Sequence, residues 1–206
     1  MTRPTDEPRT TRRPVVFFDI CSSTVILEDL LRTANAKRWR NLLIYLKRFL
    51  VSERDRKHFE VYKFLGDGWI LIFDDGSFER VEVLDLLQKL SAEYERLFEE
   101  NVSRVLTGNT HIVGLTFGID EGELISILLD EKTEHIGRAL NVAARLQGAV
   151  KQQDAAPQNK LLVSRNAYDR LALSGSEKYK AEEVTCALGN VSGGTAYRAM
   201  KISLNK

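Results

Sequence analysis

"VVFFDICSST", residues 15–24, puts one acidic side chain, Asp19, directly after an apolar run and directly before small hydroxyl residues. The apolar, partly β-branched run reads as a strand, and Ser22, Ser23 and Thr24 are natural N-caps for a helix behind it. That helical segment is expected to be long: Leu, Ile and Phe recur at helical spacing from Ser22 to Glu53, and Glu28 and Asp29 suit its first turns. The strand is placed from Pro14, and residues 1–13, polar and Arg-rich, are expected to form a disordered tail. Residues 14–206 are expected to form one domain.

Working outward, "HFEVYKFLGDGWILIFDD" (58–75) holds two β-rich runs around Gly66-Asp67-Gly68 and reads as a hairpin. A charged amphipathic helix follows, from Phe78 to Val102, with Leu84, Leu87, Leu90 and Leu97 on one side. "THIVGLTFGID" (110–120) and "GELISILL" (122–129) read as a second strand pair turning around Asp120 and Gly122. "HIGRALNVAARLQGAVKQ" (135–152) is helical, and a strand, a short helix and two last strands complete the chain. This order predicts an α+β fold, a ferredoxin-like sandwich with a mostly antiparallel sheet and packed helices.

At 206 residues the chain suits one domain with a full core. A net charge of +1, with both signs interspersed, supplies no field for long polyanions, so no nucleic-acid partner is expected. No stretch reaches the roughly 18 apolar residues of a membrane span, nor the apolar core of a secretory signal, so a cytoplasmic protein without a membrane partner is expected. Cys21 and Cys186 have neither metal spacing nor a disulfide framework and read as plain buried thiols. His58, His111 and His135 read as structural, since no carboxylate or nucleophile stands at a diagnostic spacing from them.

Chemistry gathers elsewhere. If the first strand lies beside the hairpin, Asp19 and Asp67 emerge at one sheet edge, close enough to share divalent cations. Magnesium suits such a site, with one or two protein carboxylates and the remaining positions left to water and substrate phosphates. The helix start at Ser22 to Thr24 adds free amides and a positive dipole end, a seat for a phosphate chain. Asn141 and Arg145, four residues apart on a helix, project from one face and offer donors to a phosphoryl oxygen or a ribose. Lys63 stands four residues before Asp67. Trp39 and Tyr45, on the first helical segment, have rings able to stack on a base, but amphipathic-helix aromatics of this kind read first as packing residues.

Taken in order, "VVFFDICSST", "VYKFLGDGWILIF", "FGIDEG", "HIGRALNVAARL" and "LLVSRNAYDRL" resemble the catalytic domain of class III nucleotidyl cyclases, over residues 14 to 200. The resemblance implies that Asp19 and Asp67, with the backbone carbonyl of Ile20, bind two divalent cations, Mg2+ or Mn2+. It implies that Asn141 positions the ribose, that Arg145 stabilises the phosphoryl transition state, and that Lys63 and Glu134 read the base. It also implies a head-to-tail homodimer with composite active sites, the metal aspartates coming from one subunit and the other groups from its twin. The substrate would be a nucleoside triphosphate, cyclised by its own 3′-hydroxyl with loss of pyrophosphate.

A Lys and carboxylate pair matches adenine, cytosine and uracil alike, so base size must decide. Glu134 stands where adenylate cyclases commonly carry Asp or Thr, and "GELISILLDEKTEHIG" (122–137) is shorter than in typical members, which points to a tighter pocket and a pyrimidine. The chain is similar to the stand-alone pyrimidine cyclases of Pycsar antiphage defence, which implies cyclic UMP or cyclic CMP, UTP being favoured as substrate. A separate cyclic-nucleotide-responsive effector, not directly bound, would read the product. Two alternatives remain: an adenylate cyclase, and an inactive homology dimer that only binds nucleotide.

Overall fold

The computed structural model describes residues 9–75, 82–108, 112–170 and 178–204. Strand β1 (Arg9–Ile20) runs antiparallel between β3 (Gly68–Phe73) and β4 (Leu115–Leu129), with β2 (Phe59–Phe64) outside β3. Beyond β4 lie β6 (Lys160–Ser164), β8 (Tyr197–Ser203) and β7 (Ala181–Cys186), while β5 (Lys132–Ile136) pairs with the far end of β4. All these pairings are antiparallel except β4 with β6. The predicted α+β architecture is therefore present, an eight-stranded, mostly antiparallel sheet with packed helices.

Alternation along β1 assigns the two faces of the sheet. Val16, Phe18 and Ile20 pack with α1 (Ser23–Arg32), α2 (Ala36–Lys57) and α3 (Glu82–Asn101) in the main core, where Phe18 stacks on Trp69 at 5.5 Å. Val15 faces the opposite side, against Ala139 and Ala143 of α4 (Arg138–Gln153). Asp19, in phase with Val15, thus belongs to the α4 side. Helix α2 has no acidic residue before Glu53, yet burial of Leu42, Leu46 and Leu50 contributes roughly 1.5–3 kcal/mol each. That outweighs like-charge repulsion on its exposed face, a few tenths of a kcal/mol per pair.

Several boundaries differ from the sequence reading. The strand starts at Arg9, not Pro14: residues 9–13 pair with Gly122–Ser126 of β4, and Arg13 donates from Nε to the Phe73 carbonyl at 2.9 Å. Pro14 is tolerated because pairing with β3 begins only at Val15, so its missing N–H removes no ladder bond on that side. Residues 1–8 lie outside the described residues, as do His111 and the predicted start of α3. The long first helical segment breaks at Thr33–Asn35, where Ala34 is left-handed (φ 56°) and Asn35 donates its N–H to the Leu30 carbonyl.

Asp120 and Gly122 do not form a turn; β4 runs straight through them. Asp120 is buried beside Ser164, and burial pushes its carboxyl above the ordinary range. Glu121 is buried and paired with Arg12 and with Arg170, the latter at 2.9 Å. The real turn is Asp130-Glu131, both left-handed (φ 47° and 63°), the mirror-type two-residue geometry of tight hairpins. Among the described residues no helix is long and apolar enough to cross a membrane.

Candidate active site

Asp19 and Asp67 meet at one sheet edge. Asp19 lies opposite Gly68 in the β1–β3 ladder, and Ile20, the last residue of β1, donates its N–H to the Asp67 carbonyl at 3.3 Å. Both glycines of the turn are required there. Gly66 adopts φ +98°, which L side chains rarely reach, and a Cβ on Gly68 would stand 2.1 Å from the Phe18 carbonyl oxygen. The turn therefore presses Asp67 onto the end of β1.

Around this pair stand groups from α1 and α4. Ser23 is buried and donates its hydroxyl to Asp67 Oδ2; Ser22, the N-cap, is left-handed (φ 55°) and makes no side-chain capping bond. Thr24 is exposed. The expected hydroxyl capping is thus corrected: one hydroxyl is diverted to the carboxylate site, and the first-turn amides of α1 have no intrahelical acceptors. Asp29 lies beyond the first turn, where it accepts from Arg32 and from the Thr107 and Gly108 amides, which hold its carboxyl far below the usual range. Lys151 Nζ on α4 is 3.8 Å from Asp19 Oδ2. Sequence reasoning missed this lysine, because only the packing of α4 on the β1 face brings it close.

Burial, and then the nearby Asp67 carboxylate, push Asp19 up to about 7, with Lys151 opposing the shift. Two carboxyls squeezed together in this way favour a proton or a cation between them. Among the described residues no group of three or more His, Cys, Asp or Glu side chains is arranged to hold a metal ion by itself. A two-carboxylate edge beside free amides fits a magnesium-type ion that shares its remaining positions with phosphates and water.

The pair carries a stability consequence. Between its ordinary value of 3.8 and about 7, Asp19 in the folded chain keeps a proton that the unfolded chain has released. The folded state then binds more protons, so stability falls as pH rises through that window. Thermal melts in chelator from pH 4 to 8 are expected to show this fall in the native chain and lose most of it in Asp19→Asn. Parallel profiles for the two proteins would contradict the geometry.

A second cluster forms where β2 faces β5. Glu134 Oε2 accepts from Lys63 Nζ at 3.1 Å and from the Tyr62 hydroxyl at 2.5 Å, and Tyr62 accepts from the His135 amide at 2.9 Å. Tyr62 first, then Lys63, hold the Glu134 carboxyl below its usual range. Strict alternation would send Tyr62 and Lys63 to opposite faces, but a register shift between Val61 and Lys63 lets both reach Glu134. That bulge is why the sequence concealed Tyr62. His135 is buried, 3.1 Å from Ser126 Oγ and 3.4 Å from Glu60, consistent with a structural histidine. Trp39 is buried, whereas Tyr45 is 40% exposed beneath Arg48. Both cysteines are free and buried.

Asn141 and Arg145 lie together on the exposed face of α4, opposite the buried Val142, Ala143 and Leu146. Among the described residues, neither side chain has a hydrogen-bonding or ion-pair partner, and none links them to the aspartates. One chain thus displays an acid pair with a helix start, a Lys–Tyr–Glu cluster, and an unpaired amide and guanidinium.

The fold has solved counterparts. The adenylyl cyclase CyaB from P. aeruginosa superposes with a TM-score of 0.72 at 18% identity, over 97% of each chain. The guanylyl cyclase Cya2 gives 0.70 at 12% identity, over 95% of this chain and 93% of that one. An adenylate cyclase from Trypanosoma brucei gives 0.66 at 19% identity, over 94% and 90%. The chain has the fold of class III nucleotidyl cyclase catalytic domains. No protein-family model matches the chain, and no curated protein matches it in sequence.

Proposed function

We propose that the chain is a nucleotidyl cyclase that converts a pyrimidine nucleoside triphosphate, UTP before CTP, to its 3′,5′-cyclic monophosphate and pyrophosphate. The observation that carries the reading is the paired carboxyl edge of Asp19 and Asp67, with a helix start beside it, on a fold shared with adenylyl and guanylyl cyclases. Asp19 and Asp67, with the Ile20 carbonyl, would hold two divalent cations, Mg2+ or Mn2+, which when bound lower the pKa of the attacking hydroxyl and neutralise leaving phosphate. The amides of Ser22, Ser23 and Thr24 receive phosphate oxygens, and Lys151 adds a positive charge beside them. The 3′-oxygen forms a bond to the α-phosphorus, the bond to the β-phosphate oxygen breaks, and the hydroxyl proton leaves to solvent. Because the reaction is intramolecular, the protein's work is to fold the substrate and meet developing charge.

Asn141 and Arg145 fit the roles of ribose holder and transition-state donor, and both are free to reach a second molecule. The acid edge and the α4 donors are unlinked within one chain, which supports a homodimer with two composite sites. For the base, Lys63 offers a donor and Glu134 an acceptor. Tyr62 donates its hydroxyl to Glu134 and stands beside that pair, and the length of Glu134 with the short 122–137 connection favours a single ring over a purine.

Incubation with each of the four nucleoside triphosphates and Mn2+ or Mg2+, with detection of pyrophosphate and cyclic product, tests the proposal. UTP or CTP is expected to be consumed at least tenfold faster than ATP, the discrimination about 1.4 kcal/mol would give. A preference for ATP would replace the base assignment with cyclic AMP. Silence with all four would favour a nucleotide-binding homology dimer.

A further inference from the structure

We propose that Lys151 holds the leaving diphosphate at the acid edge of its own chain, and that without nucleotide the same ammonium neutralises Asp19 in place of a cation. The inference rests on the cyclase reading above and deepens it. Helix α4 would serve both composite sites of a dimer, lending Asn141 and Arg145 to the twin and Lys151 to its own half-site.

Helical geometry separates the two sets of groups. At about 100° per residue, Asn141 and Arg145 differ by roughly 40° and share a face. Lys151, six residues beyond Arg145, is turned about 120° away and stands roughly 9 Å further along the axis. One helix therefore aims its donors in two directions. Arg145 is exposed, while Lys151 Nζ lies 3.8 Å from Asp19 Oδ2 of the same chain.

That contact is close but not locked. At 3.8 Å the charges attract without a hydrogen bond, and the Lys151 side chain is 49% exposed. Its charge opposes the rise that burial causes at both the Asp19 carboxyl and the Cys21 thiol. A four-carbon stem with three rotatable donors can turn from Asp19 to an anion while the helix stays in place.

Room for that anion lies alongside. Lys151 lines a cleft of about 300 Å³ with Cys21, Ser22, Ile112, Asp154 and Pro157, a volume at the lower end of ligand-sized pockets. Cys21 and Ser22 lead into α1, so the cleft opens at the helix start. Asp154 does not oppose an anion there: it accepts from Lys160 Nζ at 2.6 Å and from the Ala156 amide at 3.0 Å, and lies 3.7 Å from Lys201. Two other lysines thus answer Asp154, and Lys151 is the charge it leaves over. A point cation beyond Asp19, turned away from the donors proposed for the ribose and the transition state, suits the end of the substrate that departs. An ion entering at Asp19 meets the ammonium as a competitor unless phosphates draw it off. Metal and nucleotide are thereby coupled, each favouring the other.

Calorimetry on the full chain tests this with Mn2+ alone and with pyrophosphate at saturating Mn2+. Lys151→Met is expected to bind Mn2+ about threefold tighter, because the competing charge is gone, and pyrophosphate about tenfold more weakly. Lys151→Arg is expected to restore pyrophosphate binding, since either cation suits a phosphate. A lysine that only supported the fold would weaken both ligands together. Product assays of mixtures assign the lysine to its half-site. Lys151→Met with Arg145→Ala is expected to recover activity, because one mixed site keeps acids, lysine and guanidinium; Lys151→Met with Asp19→Ala is not. Shifts of the same sign, no shift, or recovery in the second mixture instead of the first would overturn the proposal. Opposite shifts in a chain that forms no cyclic product from any triphosphate would count against the cyclase reading alone.

Discussion

Asp19→Ala and Arg145→Ala are each expected to lower product formation by about a thousandfold, and an equimolar mixture to recover about a quarter of wild-type activity. The single losses follow from what each group supplies. On the proposed roles, the acid edge without Asp19 would keep one carboxylate too few for a cation pair, and without Arg145 the developing phosphoryl charge would lose its guanidinium, a kind of loss that typically costs about 10²–10³ in rate. Recovery follows from geometry: the two groups are unlinked within one chain, Asp19 lying at the end of β1 and Arg145 on the exposed face of α4. In a random mixture half of the dimers are mixed, and in each of these one of two composite sites keeps every group, which gives the factor of about one quarter. Product assays of each variant and of the re-equilibrated mixture decide the point. No recovery would mean that the site lies within one chain.

Gly118→Ala is expected to destabilise the protein by about 3 kcal/mol, the upper end of ordinary overpacking. A Cβ at Gly118 would stand 2.0 Å from the Ala143 carbonyl oxygen and 2.3 Å from the Gln147 amide nitrogen. Both are backbone atoms of α4, so no side chain can turn aside and the helix itself must lift from β4. Gln147 also donates to the Thr116 hydroxyl at 2.7 Å across this contact, a buried bond that the lifting would stretch. Because α4 carries Asn141, Arg145 and Lys151, activity should fall more than stability alone predicts. Urea denaturation measures the first effect and assay of the surviving folded fraction the second; a variant as stable as wild type would refute the close approach.

Much of this was legible in the residues. Element order follows from periodicity and turn signals, and Asp19 with Asp67 was visible as a strand end and a glycine-bounded turn. What escaped reading depended on contacts between distant segments. Asp120-Glu121-Gly122 carries a local turn signal, but Ser164, Arg12 and Arg170 accommodate both acids inside a strand. The Thr10-Thr11 stretch looked like a tail because its value as a strand lies in the edge that β4 offers. Ser23 looked like a cap, yet its hydroxyl serves Asp67. Tyr62 was hidden by one bulge and Lys151 by the packing of a helix. Local propensity describes a segment alone, and each of these residues is decided by its partner.

The unpartnered face of α4 has a bearing on dosage. Where each working centre must be assembled from two molecules, output at low abundance grows with the square of the protein's amount, so a cell that halves its supply keeps about a quarter of the signal. Synthesis and turnover of the polypeptide would then act as a threshold control, silent at trace levels and steep once copies become frequent enough to meet.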